Sequence, residues 1–228
     1  MHPANSIILF TVTSGLGFGL LAFLGLGLPA VTGAAAFWYF ALAFALAVGG
    51  LISSTFHLGN PQRAWRAFSQ WRSSWLSREG CLAVATLVVM GIYALFAVFM
   101  GQTLHILGII GAVLALMTVF ATSMIYAQMK TVPRWNHWSV PALFMVLAIG
   151  GGALLAGQVL VAAIFLAVAG ILQLMNWTRG DTALAQSGSD IGTATGLGIR
   201  GIVRAFEPPH TGNNYLLKEM VHKVGRKH

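Results

Sequence analysis

Residues 34–68 read AAAFWYFALAFALAVGGLISSTFHLGNPQRAWRAF. From Ala34 to Phe56 there is no charged residue, and the run exceeds the roughly 20 apolar residues a helix needs to cross a bilayer. Immediately after it come His57, Gly59, Pro61, Arg63 and Arg66. Leu58-Gly59-Asn60-Pro61 is turn chemistry that ends the helix. A spanning helix that closes on a histidine, a turn and a basic, aromatic face sets the fold class. It also raises the question of what the histidine is for.

The rest of the chain repeats the apolar half of this pattern. Hydrophobic residues make up 57% of the 228 and charged residues 8%, against about 25% charged in an ordinary soluble domain. A chain of this size cannot hide so much apolar surface within itself, so the class is an all-α integral membrane protein. One cysteine, Cys81, inside an apolar stretch, excludes an internal disulfide framework and a cysteine-ligated zinc or iron–sulfur site within the chain. The net charge of +8 would suggest nucleic acid in a soluble protein. Its placement here points instead to membrane topology, and no nucleic-acid partner is expected.

The opening MHPANSIILF lacks the basic n-region of a signal peptide, so a retained first helix is expected. The apolar runs are about Ile7–Leu28, Ala34–Phe56, Gly80–Met100 and Leu104–Ala127, then the shorter Ser139–Leu155 and Gln158–Met175. The last two are separated by little more than Gly157 and together far exceed a bilayer thickness, which predicts a tight hairpin of two short spans. The expectation is a bundle of at least six transmembrane helices over residues 1–177. Residues 178–228 form a tail or loop without a span. Within it, SGSDIGTATGLG reads as a flexible loop and EPPHTGNNYLLKEM as a turn followed by a short helix.

The loops after helices one, three and five contain no lysine or arginine. The other side holds Arg63, Arg66, Arg72 and Arg78 in one loop and Lys130 and Arg134 in the next. The remaining basic residues, from Arg179 to Lys227, follow the sixth span, so all 13 fall on one face. The positive-inside rule makes that face cytoplasmic, together with the N-terminus and the tail. Trp65, Trp71, Trp75, Trp135 and Trp138 share these loops. Two readings stand side by side. The asymmetry records insertion, with tryptophans in an interface belt. Or a partner docks there, because tryptophan and arginine are enriched in interface hot spots, with Arg63, Arg66, Arg72, Trp65 and Trp71 as the docking residues.

Two ionisable residues stand at the edge of the membrane. His57 is either an interfacial histidine bonded to a backbone carbonyl or a ligand and proton donor in a membrane-edge pocket. Intramembrane ionisable groups are expensive and default to function. A quinone needs a hydrogen-bond donor at its carbonyl and a proton on reduction, and imidazole supplies both. Glu79, in WLSREG, opens helix three. Its plain role is favourable charge at a helix N-terminus, with Ser77 as cap. Helix three begins on the face where helix two ends, so His57 and Glu79 are expected at similar depth, as a proton path to quinone would require. A b-type haem competes for the histidines, but no two of His57, His105 and His137 lie well inside facing spans, so no haem is expected. Against a transporter, the spans carry almost no charge and no paired broken helices.

HLGNPQRAWRAF, followed by SWLSREG, resembles the membrane anchor subunits of the dimethyl sulfoxide reductase family. HPANSIILFTVTSGLGFGL and EPPHTGNNYLLKEM are similar to the branch that anchors cytoplasmic sulfite dehydrogenases. The resemblance spans most of the chain. Its specificity lies in the His-Leu-Gly-x-Pro turn and the Leu-Ser-x-Glu helix start. It implies a three-part complex in which a molybdopterin subunit does the substrate chemistry and an iron–sulfur subunit carries electrons. The anchor then exchanges electrons with quinone, ubiquinone or menaquinone. Carried over by position, His57, Gly59, Pro61 and Glu79 belong to the quinone site, His57 and Glu79 being the catalytic pair. The family pattern is eight spans, and KEMVHKVGRKH resembles the lead into a seventh. Partners on a cytoplasmic face favour sulfite oxidation at the bacterial inner membrane. A dimethyl sulfoxide-type reductase, running from quinol to substrate, is the alternative.

Overall fold

In the computed structural model, residues 5–57 and 61–204 are described, the side chains at 56, 57, 61, 63 and 64 excepted. Among them there are helices and turns and no strand. Six helices form the bundle: α1 (Asn5–Gly25), α2 (Gly33–Ser53), α3 (Trp75–Leu95), α4 (His105–Ala127), α5 (Ser139–Leu155) and α6 (Val159–Gln186). Two 3-10 helices, Ser54–His57 and Pro61–Phe68, connect α2 to α3, and a π-helical turn, Phe96–Met100, extends α3. Five of the six are long and apolar enough to cross a membrane; α5, at 17 residues, is the shorter apolar helix of the set. This is the bundle the apolar runs predict.

The segments are helical because they are runs of Leu, Ala, Phe and Val with almost no interior proline, and lipid offers an unpaired backbone no hydrogen-bond partner. Pro141 is tolerated because it is the third residue of α5, in the first turn, where its missing N–H has no intrahelical acceptor. Left-handed glycines end two of the helices: Gly101 (φ 63°) closes the π-helical turn and Gly157 (φ 74°) makes the α5–α6 hairpin.

α1 is the hub. It packs against α2, α4 and α5, and every residue from Gly17 to Gly25 is buried. The approaches are made by small residues. Gly17 lies on the backbone of Ala43 and Ala47 in α2. Gly19 lies on Ala148 and Gly152 in α5, and Gly25 on Gly108 and Ala112 in α4. A Cβ at any of these glycines would run into the facing backbone. α3 pairs with α4, and α6 packs on α5 at the periphery, where only 11% of its apolar window is buried.

Two boundaries differ from the sequence reading. α3 begins at Trp75 rather than Gly80, because the Trp75 ring packs edge-on against Phe120 of α4 at 5.9 Å and holds an extra turn. α6 runs on past Met175 to Gln186. Its extra turns are tied to the α4–α5 loop, with Arg179 Nη2 donating to the Arg134 carbonyl at 2.6 Å and Gly180 lying under the Arg134 side chain.

Residues 189–204 belong to a second unit. The stretch expected to be a flexible loop contains a short helix, α7 (Ile191–Thr195). Asp190 starts it with a reciprocal capping box to Thr193, which satisfies two orphan donors at once. The segment EPPHTGNNYLLKEM lies outside the described residues.

Replacing Gly19 or Gly152 with leucine should break the α1–α5 contact, at a cost above the roughly 1–3 kcal/mol typical of core overpacking. The measurement is the yield of monodisperse protein in mild detergent, which should collapse. Gly15→Ala and Gly91→Ala, where nothing lies within 4 Å of an added Cβ, should leave it unchanged.

Candidate functional site

The ends of α2 and α4 meet the starts of α1, α3 and α5 and the last turns of α6 at one end of the bundle. Ser53 Oγ, in the last turn of α2, donates to the Ser6 carbonyl of α1 at 3.0 Å, which fixes where α2 hands over to the 3-10 turn Ser54–His57. His57 is the last residue of that turn, and its side chain lies outside the described part of the structure. Gly59 lies outside the described residues, as do the side chains of Pro61 and Arg63.

Glu79 has a setting unlike that of a helix cap. It is the fifth residue of α3, not the first. Its carboxyl turns inward, 3% exposed, and Oε1 accepts a hydrogen bond from Thr122 Oγ1 of α4 at 2.6 Å. Ser77, expected as the cap, is buried with no partner for its hydroxyl. Ser74 holds the cap position without a side-chain bond. The cause is the earlier start of α3, which places Ser77 and Glu79 on the face packed against α4.

Around Glu79 the α3–α4 seam is polar. Thr122 Oγ1 also lies 3.0 Å from the Thr118 carbonyl. Deeper in the bundle Thr118 Oγ1 and Thr86 Oγ1 are 3.1 Å apart, both fully buried. Among the described residues Glu79 is the one buried carboxyl.

The surface above it is basic and aromatic. Trp65 and Trp71 are exposed, and the Arg66 and Arg72 guanidinium groups each lie 5.6 Å from the neighbouring indole. Arg78 differs from them. It stacks at 4.4 Å on Trp75 and donates to the carbonyls of Trp71 and Arg72 at 3.0 and 2.6 Å, so its cation holds the loop together. Phe68 anchors the 3-10 helix to α3: its ring sits where a Cβ on Gly80 would come within 3.1 Å.

A second polar group lies in the α4–α5 loop. His137 Nδ1 is 2.7 Å from Ser139 Oγ, and the buried Ser139 hydroxyl donates to Asn176 Oδ1 of α6. Arg134 pairs with Asp181 at 2.9 Å, and Asn136 donates to the Ala127 carbonyl at 2.6 Å. Burial of the ring and the nearby Arg179 cation hold the His137 pKa below its ordinary value, which favours the neutral imidazole as a hydrogen-bonding clamp on the loop. His105, the first residue of α4, stands at the other end of the bundle.

The family model for the dimethyl sulfoxide reductase anchor subunit matches residues 1–176, which include all of this constellation before the last turns of α6. The chain belongs to that family. It is also 31% identical to a sulfite dehydrogenase subunit of Allochromatium vinosum, over 97% of this chain and 78% of that protein. No solved structure matches. The apolar helices of the bundle are thus those of a membrane-spanning anchor subunit.

Of the expected site residues, Glu79 is placed at the α3–α4 seam, and Arg66, Arg72, Trp65 and Trp71 on the surface near it. Sequence reading missed Thr122, Ser139 and Asn176. The available signal was Thr118-x-x-x-Thr122, two hydroxyls one turn apart in an otherwise apolar helix.

Gly80→Leu in the anchor subunit should expel Phe68 and loosen the 61–74 connection without breaking the bundle. Limited proteolysis checks this, with cleavage at the loop arginines expected to speed up severalfold while the helices stay protected.

Proposed function

We propose that this anchor subunit is the quinone-reactive membrane subunit of a molybdopterin and iron–sulfur oxidoreductase complex, passing electrons to quinone during sulfite oxidation. The observation that carries the reading is a buried carboxyl, Glu79, on an inner wall of the bundle directly beside an exposed surface of tryptophan and arginine. Quinone as substrate takes up two electrons and two protons. The electrons come from a docked iron–sulfur partner, so the headgroup must lie close to the docking face. The isoprenoid tail must stay in lipid, so the site must lie at the bilayer edge. Glu79 meets both conditions: α3 is 26 residues long with its π-helical turn, roughly 39 Å at about 1.5 Å per residue, and Glu79 is near its docking-face end.

In this reading His57, with Gly59 and Pro61 shaping its turn, donates a hydrogen bond to one quinone carbonyl. Glu79 delivers protons. Arg63, Arg66, Arg72, Trp65 and Trp71 receive the partner: exposed cations laid on indoles combine charge with a large rigid apolar area. The similarity to a subunit of a sulfite dehydrogenase supports sulfite as the substrate of the molybdopterin partner. The reading assigns no haem to this chain, since His137 lies in the loop before α5 and His105 begins α4 at the opposite end of the bundle, so the two do not face each other within the spans.

The docking face is cytoplasmic in this proposal, because the bundle's arginines and lysine lie at one end. A reporter fused after Gln186 should therefore be active only as a cytoplasmic fusion. Periplasmic activity would overturn the orientation and favour the reductase alternative.

Glu79→Gln and His57→Ala should each lower quinone-linked turnover by about 10²–10⁴, the usual share of a general acid–base group. Substrate oxidation with a soluble artificial acceptor should persist, and a molybdenum protein and an iron–sulfur protein should copurify in mild detergent. Wild-type quinone turnover in both variants would sink the site, and absence of both partners would sink the complex.

A further inference from the structure

Thr122 has one hydroxyl hydrogen and two acceptors within reach, Glu79 Oε1 at 2.6 Å and the Thr118 carbonyl at 3.0 Å. A hydroxyl donates once and accepts through its lone pairs, so both bonds cannot be made from the same hydrogen. A carboxyl that carries protons alternates between a form that only accepts and a form that also donates. A fixed donor such as lysine would satisfy only the ionised form, and a fixed acceptor only the neutral one. In a seam where Glu79 and Thr122 are both buried, an unserved form would be costly.

We propose that Thr122 is the positioning residue for Glu79, its hydroxyl turning between the carboxyl and the Thr118 carbonyl so that both protonation states keep a hydrogen bond and the same rotamer. With Glu79 ionised, Thr122 O–H donates to Oε1. When a proton arrives at Oε1, the new carboxyl O–H donates to Thr122 Oγ1, and the threonine hydrogen turns to the Thr118 carbonyl. At Glu79 itself the bond made and then broken is the carboxyl O–H; the matching O–H bonds break in the proton donor at the docking face and form on the quinone oxygen. One proton enters from the docking face, and one leaves to the oxygen of the quinone that has taken electrons from the iron–sulfur partner. The carboxyl need not swing between cycles.

Thr118 and Thr86 lie one and two turns further into the seam. Thr86 Oγ1 is 2.7 Å from its own Leu82 carbonyl and 3.1 Å from Thr118 Oγ1. Thr86 is thus bonded to these two groups rather than to Glu79 and serves as the packing control. Tyr126 lies one turn beyond Thr122 on α4. Its ring packs against Trp135 and Phe144, and the hydrogen bond to the carboxyl comes from Thr122.

This inference rests on the proposed role of Glu79, and the experiment separates the two. Quinone-linked kcat and KM are measured in the intact complex in native membranes for Thr122→Val, Thr122→Ala, Thr122→Ser, Thr86→Val and Glu79→Gln. Activity with a soluble acceptor reports assembly. The expected result is a fall in kcat of about ten- to a hundredfold in Thr122→Val, the worth of a hydrogen bond to a charged group, with KM within about twofold. Thr122→Ser should recover most of it and Thr86→Val should match wild type. If valine does not assemble, the alanine variant decides. Normal turnover in Thr122→Val or Thr122→Ala beside a slow Glu79→Gln overturns the Thr122 assignment alone. So does failure of serine to rescue, or an equal fall in Thr86→Val, either of which makes the threonines packing residues. Normal turnover in Glu79→Gln overturns the proton role of Glu79, and this inference falls with it.

Discussion

The bundle depends on how closely α1 approaches three neighbours. In water, apolar faces are driven together by their removal from solvent. In lipid the surroundings are as apolar as the helices, so association must come from van der Waals contact and from hydrogen bonds between helices. That makes the absence of a side chain the decisive feature. Gly17, Gly19 and Gly25 bring α1 onto the backbones of α2, α5 and α4 respectively, and the small residues opposite, Ala43, Ala47, Gly108, Ala112, Ala148 and Gly152, complete the contact. With α1 fixed on three sides, the other helices have little freedom to rotate. Helix rotation decides whether a side chain at the α3–α4 seam faces protein or lipid.

The seam is where the second kind of force appears. Glu79, Thr122, Thr118 and Thr86 are all buried between two helices, and their hydroxyls bond either across the seam or back to their own helix. Back-bonding to the preceding turn satisfies a threonine without a partner, so the helices insert with their hydroxyls already paired. The carboxyl has no such local acceptor or donor and needs α4. A hydrogen bond to a charged group is worth about 1.5–3 kcal/mol, too little to offset burying a full charge. Glu79 is therefore a cost borne by the bundle, and its position beside the exposed tryptophan and arginine surface is what makes a functional role the economical explanation.

The helices were legible because the bilayer imposes a length, and uncharged runs of that length are hard to mistake. The α5–α6 hairpin was legible from Gly157 for the same reason, two spans with no room for a loop. The start of α3 was not. Trp75, Ser77 and Arg78 read as loop chemistry, and only the contact of Trp75 with Phe120 of α4 and the stacking of Arg78 make them helical. The end of α6 was hidden in the same way, since Asn176, Arg179 and Asp181 look like tail until Arg134 and Ser139 are seen across from them. Glu79 could be singled out as a rare acid at a membrane edge. Thr122 could not be matched to it, because in helices apolar all round the sequence carries no amphipathic stripe to set the rotation.

Three consecutive residues of α3 show how the site and the surface are coupled. Successive residues of an α-helix point about 100° apart, so Arg78, Glu79 and Gly80 address three directions. Arg78 reaches to the carbonyls of Trp71 and Arg72 and holds the end of the basic loop. Glu79 reaches into the seam to Thr122. Gly80 leaves the space into which Phe68 brings the 3-10 helix carrying Trp65 and Arg66. One turn of one helix thus sets the loop, the carboxyl and the aromatic anchor in a fixed relation. A rotation of α3 large enough to turn Glu79 away from Thr122 would also withdraw the seat of Phe68 and pull Arg78 from its carbonyls. In the reading proposed for this family member, anything that disturbs the docking surface is then transmitted to the carboxyl through less than one helical turn, with no longer pathway required.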